Sequence, residues 1–136
     1  MTEIRKATIA DLKLIVELFD HYRVFYEKES NKQKAEEFIS ERLQFDDSKI
    51  FIAETENKKM VGFVQLYPIF SSTRMKRLWL LNDLFVENGH RGKGISKQLI
   101  ETSKELCKQT NACGLILETA KTNIAGNNLY PKLVFQ

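Results

Sequence analysis

Along the chain the apolar positions change period several times, and each change marks an element. Ile4 to Ala7 reads as a short first strand. Thr8 follows, with Asp11 three residues on, close to a capping box that predicts a helix start. Leu12, Ile15, Val16 and Phe19 then share one face at helical spacing. A second helix is predicted from Ser30-Asn31, with Ala35, Phe38, Ile39 and Leu43 on its apolar side and Lys34, Glu37 and Glu41 on its wet side. Ile50 to Glu54 and Met60 to Tyr67 flank the polar turn Glu56-Asn57-Lys58-Lys59, which predicts a hairpin. Pro68 is expected to end the second arm, and Ser71-Ser72-Thr73 reads as a loop. Leu78 to Val86 is a long apolar strand interrupted at Asn82 and Asp83. After the turn Glu87-Asn88-Gly89-His90 the period becomes helical from Gly94: Ile95, Leu99, Ser103 and Leu106 on one side, Lys97, Glu101, Lys104 and Lys108 on the other. Gly114 to Thr119 is a short strand whose continuous Leu115-Ile116-Leu117 suggests burial on both faces, as in parallel pairing. A last short helix is expected from Ile124 to Leu133.

The strand–helix–strand unit from Leu78 to Thr119 organises this pattern. A helical crossover between parallel strands is right-handed, and ligands in such units sit beyond the carboxyl ends of the strands. The segment Arg91-Gly92-Lys93-Gly94-Ile95-Ser96 lies there. A helix N-terminus offers unpaired amides and partial positive charge, which together bind an anion. Gly92 and Gly94 let the backbone approach that anion closely. Arg91 and Lys93 add positive charge, and the Ser96 hydroxyl offers a further donor. The segment is neither of the two commoner phosphate motifs. A Walker A loop fails because Glu87 stands at its first glycine and Gly94 follows Gly92-Lys93; a dinucleotide fingerprint fails because Lys97 stands at its third glycine.

Composition narrows the picture further. The 136 residues fit one domain, 1–136, large enough for its own core. A net charge of +3 suits an anionic ligand such as a nucleotide and falls short of a nucleic-acid-binding signature. Cys107 and Cys113 form no C-x-x-C pair and have no histidine cluster beside them, so reduced thiols and no metal are expected. No apolar run approaches membrane-spanning length and the N-terminus has no signal-peptide pattern, so a cytoplasmic protein with no membrane partner is expected.

Arg91-x-x-Gly94-x-Ser96 resembles motif A of the GNAT acetyltransferases, [QR]-x-x-G-x-[GA], with serine at the last small position. The resemblance runs along most of the chain. Val61-Gly62-Phe63 is similar to the family's third strand and Leu81-Asn82-Asp83-Leu84-Phe85-Val86 to its fourth. Leu117-Glu118-Thr119, Asn123 and Leu129-Tyr130 follow its strand, asparagine and L-Y pattern in order. The implied fold is a mixed, mostly antiparallel α/β sheet with a central parallel strand–helix–strand unit and flanking helices. The implied cosubstrate is acetyl-CoA. Backbone groups of Phe85 and Val86 would pair with its pantetheine arm, the Gly92 to Ser96 amides would hold its pyrophosphate, Asn123 would contact it, and Tyr130 would protonate the leaving thiolate. Periodicity alone reads Asn123 as a helix cap and Tyr130 as a core aromatic.

Acetyl transfer needs a neutral amine, yet an alkylamine of pKa about 10.4 is neutral in only about one molecule in 2,500 at pH 7. Asp83 is the leading candidate base, and Glu118 the second. A free Asp at about pKa 3.9 needs ~3 units of elevation, about 4 kcal/mol, to serve; Asp83 can instead attract a cationic amine while water carries the proton. The region is nearest in pattern to the diamine acetyltransferase branch, except that Asn82 stands where that branch has glutamate. Small amines, polyamines, amino acids and lysine side chains all remain open as acceptors. Tyr22 and Tyr26, with Asn82 and Glu118, are expected at the acceptor, in an aromatic and acidic stretch that also holds His21, Phe25, Glu27 and Glu29. His21 and His90 read as surface residues. At the C-terminal end Val134 stands where the family places glycine, and the family's final strand is expected to be missing: either the chain is shortened or a neighbouring chain completes the sheet, and the second makes a homodimer an expectation. The alternative to an enzyme is a non-catalytic acyl-CoA-binding sensor or partner domain.

Overall fold

The computed structural model describes residues 2–117 and 132–135. Its strands lie in one sheet in chain order: β1 (Thr2–Lys6), β2 (Lys49–Thr55), β3 (Met60–Ser71), β4 (Lys76–Val86), β5 (Gly114–Leu117) and β6 (Lys132–Phe135). Neighbours are antiparallel except β4 and β5, which run parallel as the Leu115-Ile116-Leu117 run implied. Helices α1 (Leu12–Phe25) and α2 (Lys32–Phe45) cover one face and α3 (Ile95–Gln109) the other.

Two apolar layers result. Ile15, Val16 and Phe19 of α1 and Ala35 and Ile39 of α2 pack on Ile50, Ile52, Phe63 and Phe85. Ile95, Leu99, Leu106 and Cys107 of α3 pack on Ala53, Val64, Trp79, Leu81 and Leu115. Each fully buried aliphatic side chain here contributes about 1.5–3 kcal/mol of transfer free energy. The predicted helical faces are the buried ones: Ile15 and Ile39 are wholly inaccessible, as is Leu99.

The helix starts carry the chemistry their sequences suggested. Asn31 caps α2, its side chain accepting from the Lys34 amide at 3.1 Å. Buried Asp20 fixes the α1–α2 link by accepting from the Ser30 hydroxyl and the Asn31 amide. Ahead of α1, Ile9–Asp11 forms a 3-10 turn in which the Asp11 carboxylate accepts from the Thr8 amide at 2.8 Å. The same carboxylate receives two bonds from Arg5, at 2.8 and 3.0 Å, and Arg5 also reaches Glu54 at 3.1 Å. The Arg5 hydrogen bonds hold both carboxyls below their ordinary range against the opposing effect of burial.

Two expectations need correction. β3 does not end at Pro68 but continues to Ser71, with Pro68 opposite Trp79 of β4. The β2 pairing stops at Leu66, so the missing proline N–H falls where β3 has no β2 partner. The helix expected over Ile124 to Leu133 lies outside the described residues except at its end, where Lys132 and Leu133 belong to strand β6, antiparallel to β5 with Leu117 opposite Lys132. Leu133-Val134-Phe135 favours extended structure and Pro131 opposes a helix through this point. Val134 therefore lies in a strand and not at a helix end. Among the described residues no helix is long and apolar enough to cross a membrane.

Candidate active site

The polar pair that interrupts β4 marks a β-bulge. Gln65 of β3 lies opposite Asp83, but the next residue, Leu66, lies opposite Leu81, so Asn82 is one residue too many on β4. An extra residue reverses which face each later side chain meets. Before the bulge, Trp79 and Leu81 join the α3 layer; after it, Phe85 joins the α1 and α2 layer. Asp83 goes with Phe85, toward α1.

There the Asp83 carboxylate is 6% exposed and accepts hydrogen bonds from three side chains. The Tyr22 hydroxyl of α1 donates to Oδ1 at 2.9 Å, Asn82 Nδ2 donates to Oδ1 at 3.2 Å, and Gln65 Nε2 donates to Oδ2 at 2.9 Å. Burial, and after it the Asp83 charge, push the Tyr22 phenol far above its ordinary value, so Tyr22 is a donor and not a base. Tyr67 is raised by the same two causes in the same order. Rings crowd round the carboxylate's partner Tyr22, which lies 5.3 Å from Tyr26, 5.5 Å from Phe63 and 5.8 Å from Phe85, all edge-on.

β4 then leads into the glycine segment. Glu87–His90 turns tightly and α3 begins at Ile95, with Gly94 as its N-cap. Gly92 and Gly94 both have φ near +80°, a conformation costly for other residues. A Cβ built on either would meet nothing of the protein within 4 Å. The glycines are thus demanded by backbone conformation, and the room for close approach lies on the open side. Gly94 as N-cap gives α3 no side-chain cap, and Lys93 and Ser96 are exposed beside it. Ile95 is buried and anchors the helix start in the α3 layer. This open, glycine-lined helix start fits a phosphate-bearing cosubstrate.

The Arg91 side chain has another use. Its Nε donates to the Val86 carbonyl at 2.8 Å, and its guanidinium lies over the Phe25 ring at 4.5 Å and the Phe85 ring at 5.5 Å. It bolts the segment to the end of α1. His21, exposed as expected, pairs with Glu87 at 2.9 Å and makes a second tie between the same two elements. Phe25 and Phe85, with His21, Glu87 and Arg91, border an open groove between α1 and the β4–α3 connection.

The structure thus brings together Asp83, Tyr22, Tyr26, Asn82 and Phe85, and sets Val86 and the 91–96 segment directly after them. Glu118, Asn123 and Tyr130 lie outside the described residues. Sequence reading missed Gln65 and Ser48, whose hydroxyl donates to Gln65 Oε1 at 2.8 Å. The signal available was one glutamine inside the apolar run Val61 to Leu66. Among the described residues no group of three His, Cys, Asp or Glu side chains could hold a metal ion.

Comparison with known proteins agrees with this geometry. Residues 15–135 match the Acetyltransferase (GNAT) family. The chain is 44% identical over 127 residues to an uncharacterized N-acetyltransferase, YhfO, of Bacillus subtilis, covering 93% of this chain and 85% of that protein. It is 33% identical to a probable acetyltransferase of Haemophilus influenzae, covering 93% of this chain and 90% of the relative. A crystal structure of a probable acetyltransferase superposes with a TM-score of 0.87 at 32% identity, over 94% of this chain and 85% of that one.

Proposed function

Because the chain belongs to the GNAT family of acetyltransferases, we propose that it transfers acetyl from acetyl-CoA to a primary amine that arrives as a cation, by direct attack with both substrates bound. The observation that carries this reading is the bulge at Asn82, which turns buried Asp83 into an aromatic cluster one strand-length from an open, glycine-lined helix start.

Acetyl-CoA supplies an activated acyl group, and the protein supplies binding and orientation. The amides at the start of α3, with Lys93 and Ser96 beside them, suit its pyrophosphate. Phe85 and Val86 form the end of β4 just ahead of that helix start, where an extended arm can add alongside. At the acceptor end, the Asp83 charge attracts an ammonium group and the faces of Tyr22 and Tyr26 favour a cation. Tyr22, Gln65 and Asn82 all donate to Asp83, so this carboxylate holds and orients the amine, and water carries the proton away. Tyr130 is the candidate acid for the departing thiolate, and Asn123 a candidate contact to the cosubstrate.

The test is free-thiol release from acetyl-CoA across polyamines, amino acids, aminoglycosides and lysine peptides. The reading expects turnover with at least one cationic amine and a loss of at least about 100-fold in kcat/KM for Asp83→Asn, in line with losing a positioned charged group. Full activity in Asp83→Asn would remove Asp83 from the mechanism. Tight acetyl-CoA binding with no turnover by any amine would overturn the reading as a whole.

A further inference from the structure

Behind Asp83 runs a second line of polar groups in an otherwise apolar layer. Gln65 is wholly inaccessible and Ser48 is 7% exposed. Ser48 Oγ donates to Gln65 Oε1 at 2.8 Å, and Gln65 Nε2 donates to Asp83 Oδ2 at 2.9 Å. A side-chain amide has one accepting end and one donating end. The Asp83 carboxylate, which only accepts, selects between its two orientations: the NH₂ must face Asp83, and the Ser48 hydroxyl then donates to Oε1 and holds the amide from behind. The opposite orientation would set Oε1 against a carboxylate oxygen, two acceptors in contact within a buried site.

The two ends of the carboxylate therefore have different duties. Oδ2 is held from behind by Gln65, its direct cross-strand partner at the bulge. Oδ1 faces Tyr22 and Asn82, both half-buried and on the acceptor side. A carboxylate gripped at Oδ2 cannot swing about its Cβ–Cγ bond. We propose that Gln65 is a positioning residue of the acetyltransferase reaction, backed by Ser48, which locks Asp83 so that Oδ1 and the Tyr22 hydroxyl present a fixed edge to the acceptor amine. The inference rests on the reading that Asp83 serves the amine. It gives Gln65 and Ser48, on neither of which any substrate bears directly, a role in rate and not in cosubstrate affinity.

The titratable groups near the carboxylate include Tyr22 of α1 and Tyr67 of β3; Tyr26 acts on Tyr22, and Arg42 of α2 and Asp47 act on Tyr67. Gln65 is the donor that reaches Oδ2 from β3. Removing that donor takes a hydrogen bond from the ionised form, so the Asp83 carboxyl must titrate at higher pH.

The experiment compares the full-length wild type with Gln65→Met, which keeps the length and bulk of the side chain, and with Ser48→Ala, Ser48→Thr and Asp83→Asn. Two readouts are taken. The first is a pH titration of the side-chain carboxyl carbons of ¹³C-labelled aspartate by NMR, with Asp83 identified by its absence in Asp83→Asn. The second is kcat and KM against pH with the best amine of the panel above. Gln65→Met and Ser48→Ala should both move the Asp83 midpoint to higher pH and carry the acid limb of kcat/KM with it. In Gln65→Met, kcat should fall about tenfold while KM for acetyl-CoA stays within about twofold. Ser48→Thr, which restores the hydroxyl, should recover most of the loss.

An unmoved Asp83 midpoint in Gln65→Met and Ser48→Ala overturns the proposal whatever the activities are. So does a fall in kcat with the acid limb unmoved, which would mark Gln65 as structural only. A moved midpoint with full activity in Asp83→Asn would instead show that the carboxylate is held as described but does not serve the amine. If Gln65→Met does not fold, Ser48→Ala, which leaves Gln65 in place, decides the question by the same two readouts.

Discussion

Gly94→Ala separates two demands on the segment before α3. At Gly94 φ is +80°, and a Cβ would meet nothing of the protein within 4 Å. The cost in the free protein is therefore conformational and not steric. Placing a non-glycine residue in the left-handed region costs about 1–2 kcal/mol. The reduced freedom of the unfolded chain returns about 0.4–1 kcal/mol. The net loss should be about 1 kcal/mol, which for a domain of this length lowers Tm by roughly 3–5 °C. The new methyl also projects on the open side, where the cosubstrate pyrophosphate would lie, so the acetyl-CoA Kd should rise at least about tenfold, or about 1.4 kcal/mol. Calorimetric unfolding with and without acetyl-CoA, and titration of acetyl-CoA into the folded variant, read the two terms separately. Gly89→Ala is the control: it has no positive φ and nothing within 4 Å, and should stay within about 0.5 kcal/mol of wild type. Gly62→Ala gives the contrasting case, a Cβ 3.0 Å from the Phe85 carbonyl oxygen, and should lose about 1–3 kcal/mol by overpacking. A Gly94→Ala protein with wild-type Tm and wild-type acetyl-CoA affinity would refute the account of this segment.

Three further outcomes are expected. Arg5 lowers the native pKa values of Asp11 and Glu54, so the stability it gives is complete above their ordinary unfolded values, near pH 4, and drains away as pH falls through the depressed native values; melting curves from pH 7 to 2 should show this acid loss in wild type and a flatter profile in Arg5→Met. Thr110→Val leaves the buried Trp79 indole N–H without its 2.8 Å acceptor and should cost about 1–3 kcal/mol in urea unfolding followed by the fluorescence of the single tryptophan, an unchanged midpoint counting against that bond. Burial, and then Cys113, push the Cys107 thiol up to about 11, so native protein at pH 8 should be alkylated at half-exposed Cys113 and at Cys107 only on unfolding, as peptide mapping by mass spectrometry would show.

Local chemistry was legible in the sequence wherever it depends on neighbours along the chain. The α1 and α2 faces follow from apolar spacing, the Asn31 cap from its place before Lys32, and the parallel β5 from an unbroken Leu115-Ile116-Leu117. The Arg91–Ser96 segment was legible as a glycine-lined helix start, and the structure adds that Gly92 and Gly94 answer a positive φ. Where reading failed, a distant partner decided the outcome. Pro68 stays in β3 because β2 has already ended, and Arg91 turns toward Phe25 instead of the open helix start. None of these partners lies within reach of a periodicity window.

Asp83 shows most clearly why strand register is the missing variable. Counting in twos from Trp79 and Leu81 sends Asp83 to the α3 face, into a layer of Leu99, Leu106 and Leu115, where an ionised carboxylate would stand unpaired at a cost of several kcal/mol. One surplus residue, Asn82, cancels that outcome and delivers the carboxylate to Tyr22 and Gln65. A bulge bends its strand, and here the one extra residue sets the face of every side chain that follows it on β4. The interruption visible in the sequence as two polar letters is better understood as one bulge residue and one buried carboxylate, and the register against β3 is what tells them apart.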